Sequence, residues 1–343
     1  MTERVLTPRE LNRALLARQL LLERRRLPLQ RAVEQIGCLQ TQYAPSAYVG
    51  LWSRVDGLQR EAVTRALERR TLVQATLMRN TTHVVSRADY WPLNLAIRSE
   101  RLAWAKRVQR ADERALRKAA ARLRSFLGSD VRSRKELEAL GSDVWRPAVD
   151  LFAPLVRVPP SGTWERRRAD LYALAEEWVG PEPEVSEEDA REQLVRRYLG
   201  AFGPAPRTDV ADWAGVRVGA LTAALERLEL RRFRDERGRE LLDLRSAPVP
   251  SAEMPAPVRF LPTFDATLLV HARRTGILDE EHRKRIFHVR NPQSERTFLV
   301  DGKVAGAWRY DDGRVRLDPF RRLPRGARAE LEDEAERLAA FHA

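Results

Sequence analysis

The chain has 343 residues, which is enough for several modules with buried cores. Lys and Arg number 62 against 49 Asp and Glu, so the formal net charge is +13, and a basic balance of this size makes nucleic acid the first partner to consider. The single cysteine, Cys38, excludes an internal disulfide and a multi-cysteine zinc site. A coding bias that replaces lysine with arginine would give the same charge without any function in DNA binding.

Several common sites and segments are missing from the sequence. The histidines form no HExxH or similar pair of ligands, so we expect no metal site. No GxGxxG, P-loop or GxSxG motif occurs, and we expect no cofactor. The N-terminus has no apolar signal core and no run approaches about 18 apolar residues, so we expect a cytoplasmic protein without a membrane partner.

The first part of the chain predicts helices followed by a short hairpin. Thr7, Pro8 and Glu10 mark a helix start, with Thr as the N-cap, Pro at the first helical position and Glu three residues after the cap. The further elements are expected as helices at about 30–39, 48–55 and 60–69 and strands at 72–78 and 82–86. This order is the outline of a winged-helix module, which we place at residues 1–110.

A long helical stretch at about 88–127, broken near Arg110, leads into a second module of the same outline. Its later half is basic, which is typical of a solvated helix face and also fits a face turned towards phosphates. The further elements are expected as helices to residue 140 and at 144–152, and strands at 155–158 and 163–168. We place this second winged helix at residues 111–182.

The third module has the clearest helix-turn-helix and wing pattern. Ser186 caps a helix that ends at Gly203, and the elements after it are expected as helices to residue 214 and at 218–228 and strands at 230–234 and 239–244. We place the third winged helix at residues 183–256. The modules share the order of their elements and no residue-level repeat.

A proline-rich connector at 247–257 precedes a change from helices to strands. Asp301 and Gly302 give the strongest hairpin signal in the sequence. The expected elements are strands at 258–261, 268–272, 297–300, 304–309 and 315–317 and helices at 280–287 and 328–341. Residues 257–343 are therefore predicted to be a small β-rich domain, and the predicted fold class is mainly α with β wings (α+β).

Two glutamines, Gln40 and Gln42, stand out in an otherwise apolar and aromatic stretch at 37–52. Side chains at i and i+2 point the same way only in extended backbone, whereas on a helix they diverge by roughly 200°. Pro45 disfavours helix at the residue before it, so we expect the pair where a helix gives way to a loop. Two neutral amides on one side can hold a water molecule in place. A simpler interpretation is that they are polar residues at a helix end.

Three segments resemble sequence blocks of the AlkZ-like DNA glycosylases, which belong to the bacterial winged-helix DNA-binding proteins. Residues 39–42 (Leu-Gln-Thr-Gln), running on to 48–52, resemble the Gln-x-Gln signature of that family. Residues 77–85 resemble its second block, Arg-x-Thr-x-His, with Asn80 where the family has glycine, and residues 261–269 resemble its third. The likeness covers essentially the whole chain in order. It implies three tandem winged helices in a C-shape around a DNA channel, plus the C-terminal β-rich domain.

The resemblance implies a monofunctional alkylpurine DNA glycosylase, an N-glycosyl hydrolase of DNA repair. Its substrates would be cationic N-alkylated purines in double-stranded DNA, such as N7-alkylguanine and N3-alkyladenine, with bulky adducts and interstrand crosslinks included and self-resistance as a biological role. It carries the catalytic role onto Gln40 and Gln42 only. We expect a monomer that is associated with the nucleoid. The alternative is a non-enzymatic winged-helix DNA-binding protein, either a transcription regulator or a lesion sensor, which leaves the glutamine pair without a role.

Other residues are candidate DNA contacts, and for several a structural role is the competing interpretation. His83 can reach a phosphate or pack in the core, and Asp265 can stabilise the sugar cation or cap a turn. Arg217 lies at the start of the third recognition-like helix. The full candidate set is Tyr43, Arg79, His83, Arg217, Asp265, Arg273 and Arg274.

Overall fold

The structure is a computed structural model that describes residues 3–146, 148–168, 170–288 and 294–343. The helices are α1 Pro8–Arg18, α2 Leu29–Ile36, α3 Pro45–Trp52, α4 Arg60–Glu68, α5 Arg87–Val108, α6 Glu113–Leu127, α7 Arg134–Ala139, α8 Ala175–Trp178, α9 Glu187–Phe202, α10 Arg207–Ala214, α11 Thr222–Arg227, α12 Glu280–Ile286 and α13 Arg325–His342. The strands are β1 Val5–Leu6, β2 Leu39–Gln40, β3 Leu72–Thr76, β4 Thr82–Ser86, β5 Arg132–Ser133, β6 Leu155–Arg157, β7 Leu171–Leu174, β8 Leu230–Asp235, β9 Glu240–Leu244, β10 Arg259–Leu261, β11 Thr297–Val300, β12 Lys303–Asp311 and β13 Arg314–Pro319.

Among the described residues the strands form sheets of six, four and three strands. The six-stranded sheet has the order β2-β4-β3-β6-β7-β5 and joins the predicted wings of the first two modules. The joining pair is antiparallel, with Gln74 opposite Arg157 and Ala75 opposite Val156. The three-stranded sheet places β1 parallel to β8 of the third hairpin, and β10 to β13 form an antiparallel four-stranded sheet near the C-terminus.

Local signals in the sequence set several element boundaries. The Thr7 and Ser133 side chains both accept hydrogen bonds in complete capping boxes, at the starts of α1 and α7. The long helix predicted at 88–127 divides into α5 and α6, and Arg110 has a left-handed φ of 51° between them. The predicted break near Arg110 is therefore confirmed.

The strand predicted at 163–168 is wrong, because the second strand of that hairpin is β7. The Ser161 hydroxyl accepts a hydrogen bond from the Leu171 N–H at 3.1 Å, and the Thr163 hydroxyl donates to the Pro160 carbonyl at 2.7 Å. Hydroxyls that bond nearby backbone offer it an alternative to a sheet ladder. The hairpin loop is longer than predicted for this reason.

Two further element predictions are wrong. The strand predicted at 268–272 lies in the tight 3₁₀ turns Ala266–Leu268 and Val270–Thr275, which begin where Asp265 caps the Thr267 N–H at 3.1 Å. The helix predicted at 144–152 is reduced to the 3₁₀ turn Val149–Leu151, and the left-handed Ala148 before it (φ 73°) interrupts the helical path.

The apolar interior runs across the predicted module boundaries. One buried cluster includes side chains of α1, β3, α5, α9 and α10, and Arg197 of α9 donates to Asp89 of α5 at 2.9 Å. This packing carries the end of α10 to the turn between β3 and β4. Within the part of the chain that the structure describes, no helix is both long and apolar enough to span a bilayer.

Candidate active site

The glutamine pair lies at an edge of the six-stranded sheet. Helix α2 ends at Ile36, Gly37 follows with a φ of 88°, and β2 then pairs antiparallel with β4 so that Gln40 is opposite His83. The ladder continues one residue further, where the Thr41 N–H donates to the Thr82 carbonyl at 2.8 Å. Gln40 is in extended backbone, Gln42 follows in a bend, and both lie beyond the helix end as predicted.

Both amide oxygens are held by donors from the second sequence block. Arg79 Nη2 donates to Gln40 Oε1 at 3.1 Å, and the Thr82 backbone N–H donates to Gln42 Oε1 at 3.3 Å. Gln40 is half-buried and Gln42 is exposed. Each carbonyl oxygen keeps a second lone pair, and among the described residues neither amide nitrogen has a protein partner. The pair therefore offers oriented donors and acceptors at the surface.

Arg79 is positioned by a turn with unusual backbone angles. Arg79 and Asn80 both adopt left-handed conformations, with φ of 53° and 56°. Asparagine tolerates this region better than most residues, so Asn80 supplies the turn that glycine would give in the family pattern. Arg79 also donates to the Trp213 carbonyl in the last turn of α10, where a cation is favourable. Burial lowers the pKa of Arg79.

His83 lies opposite Gln40 in the β2–β4 pair and is 1% exposed. Its Nδ1–H donates to the Thr81 carbonyl at 2.9 Å. Burial, and after it the nearby charge of Arg79, lowers the pKa of His83 to about 3. The imidazole is therefore neutral near pH 7 and supplies no acid there. This position fits the packed interpretation of His83 better than contact with a phosphate.

Asp265 forms a buried ion pair with Arg54 of the chain after α3. Each side chain is 1% exposed, and Arg54 Nη2 lies 2.9 Å from Asp265 Oδ2. The Asp265 carboxylate also accepts the Thr267 hydroxyl at 2.8 Å. These contacts favour the turn-capping role, and they tie the third sequence block to the first.

The three C-terminal candidate arginines all have carboxylate partners. Arg217 pairs with Glu100 at 2.7 Å, Arg273 with Glu280 at 3.2 Å, and Arg274 with Asp209 at 2.6 Å. Arg274 is buried, whereas Arg217 and Arg273 are largely exposed. Within the described ranges none of them hydrogen-bonds to Gln40 or Gln42, so the structure does not bring them together with the glutamine pair.

Tyr43, the residue after Gln42, has a partner that sequence reasoning missed. Arg167 Nη1 donates to the Tyr43 hydroxyl at 3.0 Å across 124 residues of sequence. Tyr43 is half-buried. No local signal marks Arg167, since a charge in a loop predicts no particular contact. The Arg54 partner of Asp265 was missed for the same reason.

Thiol chemistry and metal binding find no support near the glutamine pair in the part of the chain that the structure describes. Burial raises the pKa of the Cys38 thiol to about 12, so it is a poor nucleophile. In the described segments no group of three or more His, Cys, Asp or Glu side chains is arranged to hold a metal ion.

A basic chain that presents two oriented amides at a sheet edge fits a protein that acts on DNA. The family model described as DNA glycosylase AlkZ-like matches residues 33–341, a span that includes all three sequence blocks. The chain belongs to the AlkZ-like DNA glycosylase family, which confirms the expectation from the sequence.

A solved structure shares the fold over nearly its whole length. The Streptomyces sahachiroi DNA glycosylase AlkZ superposes with a TM-score of 0.82, covering 98% of this chain and 97% of that chain at 19% sequence identity. The mixed helix and sheet architecture is thereby confirmed, and the division into winged helices stays a prediction. No curated protein sequence matches the chain significantly.

Proposed function

We propose that the protein hydrolyses the N-glycosidic bond of cationic N-alkylated purines in double-stranded DNA, and that Gln40 and Gln42 hold the attacking water. The observation that supports this most is that one hairpin holds both amide oxygens, at 3.1 and 3.3 Å, at the edge of the sheet. Fixed amides lose little freedom when they bind a water molecule, and positioning of this kind lowers a reaction barrier.

The chemistry needs little from the protein because the base is already charged. A purine alkylated at N7 or N3 is cationic, so it leaves with the bonding electron pair and becomes neutral without protonation. Water oxygen bonds to C1′ as the C1′–N bond breaks, and the water proton passes to solvent, which leaves an abasic site. An amide oxygen that faces the sugar also stabilises its developing positive charge.

The neutral state of His83 supports this substrate class. With a pKa of about 3, His83 cannot protonate a departing base near neutral pH. A base that already carries a positive charge, as N7-alkylguanine and N3-alkyladenine do, needs no proton from this residue. Bulky adducts and interstrand crosslinks at these nitrogens carry the same charge, and we include them in the proposed class.

The arrangement of modules completes the proposal. Three winged helices at 1–110, 111–182 and 183–256 would embrace one duplex as a C-shaped monomer, with 257–343 as the β-rich domain. The net charge of +13 would attract DNA at long range. The protein would then act at the nucleoid in the cytoplasm without a cofactor, in general repair or in self-resistance.

The test uses methylated duplex DNA and alkaline cleavage of abasic sites. We expect the double variant Gln40→Ala with Gln42→Ala to lose release of N7-methylguanine while it still binds DNA. The matched control is Gln59→Ala, because Gln59 is exposed and makes no side-chain cap bond at the start of α4.

Unchanged excision by the double variant would refute the role of the glutamines. Specific retention of one promoter sequence by the wild-type protein, without strand breaks on methylated DNA, would favour a transcription regulator instead.

A further inference from the structure

A small pocket opens beside the glutamine pair, where the first sequence block meets the third. Its volume is about 110 Å³, and its lining includes Tyr43, Ser46, Arg167, Thr263, Arg296 and His342. The proposed water-holding chemistry uses none of these side chains. The pocket is nevertheless fixed in relation to that chemistry, because Tyr43 directly follows Gln42.

Two guanidinium groups lie against the Tyr43 ring. Arg167 and Arg296 approach the ring centroid to 5.8 and 5.9 Å, and Arg296 also lies 5.3 Å from the ring centroid of Trp308. Among the described residues neither arginine forms an ion pair with a carboxylate. This differs from Arg217 and Arg274, whose charges are paired. Two like charges held beside one ring favour a bound anion between them.

Ser46 gives a second and independent indication of a ligand. It is 2% exposed and lines the pocket, yet within the described residues its Oγ has no hydrogen-bond partner. A buried hydroxyl without a partner costs about 1–3 kcal/mol, so it is expected to have one in the functional state. Ser46 is also in the first turn of α3, whose N-cap Ala44 makes no side-chain cap bond. The Ser46 and Ala47 N–H groups already donate to the Tyr43 and Ala44 carbonyls, at 2.9 and 3.3 Å, so the indication comes from the Ser46 hydroxyl and not from the helix end.

The charge around His342 supports a positive potential in the pocket. Burial lowers the pKa of His342, and the charges of Arg296, Arg167 and Arg60 lower it further. The ring of His342 stacks on Tyr310 at 4.4 Å between centroids, so it forms a neutral wall. The pocket thus combines unpaired cations, a free hydroxyl and aromatic walls.

We propose that this pocket binds one phosphodiester group of duplex DNA. Arg167 and Arg296 pair with its charge, and the Ser46 hydroxyl donates to one of its oxygens. Because the Tyr43 ring lies beside both arginines and Gln42 precedes it, the bound phosphate sets the position of the strand relative to the glutamine pair. The inference rests on the proposed function for its substrate, and it adds positioning residues outside the three sequence blocks.

The test is the salt dependence of binding to unmodified duplex DNA. Losing one phosphate contact lowers the magnitude of the slope of log K against log salt by about 0.9. We expect this change in the double variant Arg167→Gln with Arg296→Gln, together with roughly tenfold weaker binding at low salt. The double lysine variant should keep the slope because it keeps the charge, and Ser46→Ala should weaken binding without changing the slope.

The matched control is the double variant Arg65→Gln with Arg69→Gln, because both arginines are exposed and, in the described segments, neither forms an ion pair. Thermal midpoints of all variants show that they are folded. If the variant Arg167→Gln with Arg296→Gln keeps the wild-type affinity and slope, the pocket does not bind a DNA phosphate and the proposal is wrong.

A competition experiment with inorganic phosphate distinguishes a pocket that binds a DNA phosphodiester from one that binds free phosphate. At constant ionic strength, phosphate should displace DNA from the wild-type protein more strongly than from the variant Arg167→Gln with Arg296→Gln. If phosphate protects the wild-type protein against heating but the variant keeps normal DNA binding, the pocket is a free-anion site and the DNA assignment fails. The variant Gln40→Ala with Gln42→Ala should keep the wild-type slope, so a failure of the catalytic proposal is distinguishable from a failure of this one.

Discussion

Replacing Asp265 with asparagine tests whether this carboxylate serves stability or chemistry. The Asp265 and Arg54 side chains are each 1% exposed, and Nη2 lies 3.1 and 2.9 Å from the two carboxylate oxygens. The substitution leaves the guanidinium buried without a counter-charge, which costs about 3–5 kcal/mol. The other partners of Arg54, the Gly50 carbonyl at 2.9 Å and the Gln19 amide oxygen at 3.4 Å, are neutral and cannot replace the charge.

Thermal unfolding and single-turnover excision together give the measurement. A loss of this size should lower the midpoint by about 4–7 °C, since an unfolding entropy of about 2.1 cal/mol/K per residue makes each kcal/mol worth about 1.4 °C in a chain of 343 residues. Excision measured well below both midpoints should stay within about threefold of wild type. Removing both charges, as Arg54→Met with Asp265→Leu, should recover most of the stability.

The control is Asp56→Asn, which breaks an ion pair with Arg26 at 3.0 Å in which the side chains are 50% and 86% exposed. We expect this control to change stability by less than about 1 kcal/mol. An Asp265→Asn protein that is as stable as wild type but no longer excises alkylated purines would show that Asp265 acts in the reaction.

Further outcomes concern His83, Gly215 and the substrate. Because the pKa of His83 falls from 6.5 to about 3 on folding, the unfolded chain binds the extra proton below pH 6.5. Stability from this group is complete above that pH and falls by about 1.4 kcal/mol per pH unit towards pH 3. His83→Asn should remove this slope in denaturation experiments. The rate of N7-methylguanine release should not change from about pH 6 to 8. A rise or fall of the rate in that range would reveal an acid or base that titrates during catalysis. Gly215→Ala places a Cβ 2.9 Å from the backbone nitrogen of Arg79, at a φ of 74°. It should lower the free energy of unfolding by about 1–3 kcal/mol and slow excision. The control Gly219→Ala meets open space and should change neither. Uracil, a neutral base, should be released poorly, and efficient release would contradict the leaving-group argument.

The position of the glutamine pair just beyond a helix end could be predicted because its signals are local. The i, i+2 spacing and Pro45 act within a few residues, and so do the capping boxes of α1 and α7. The strand predicted at 163–168 is wrong although its signals are also local. There the hydroxyls of Ser161 and Thr163 bond nearby backbone, and a strand pattern does not reveal that competition.

The partners of the site could not be predicted in the same way. Gln40 and Arg79 are 39 residues apart, and Arg54 and Asp265 are 211 apart. Sequence patterns show that a residue is charged, but the fold decides whether a carboxylate meets it. Arg274 is therefore neutralised in the interior, whereas Arg167, which no motif marks, lies beside Tyr43.

The pairing of β3 with β6 determines where the chain can be divided into fragments. A truncation near residue 110 would remove β6 and leave the backbone groups of Gln74 and Ala75 without their partners in the ladder. An uncovered strand of this kind recruits strands of other molecules and promotes aggregation. The first two predicted modules should therefore be expressed as one fragment that extends past β7. A shorter fragment would aggregate, so its affinity for DNA could not be measured.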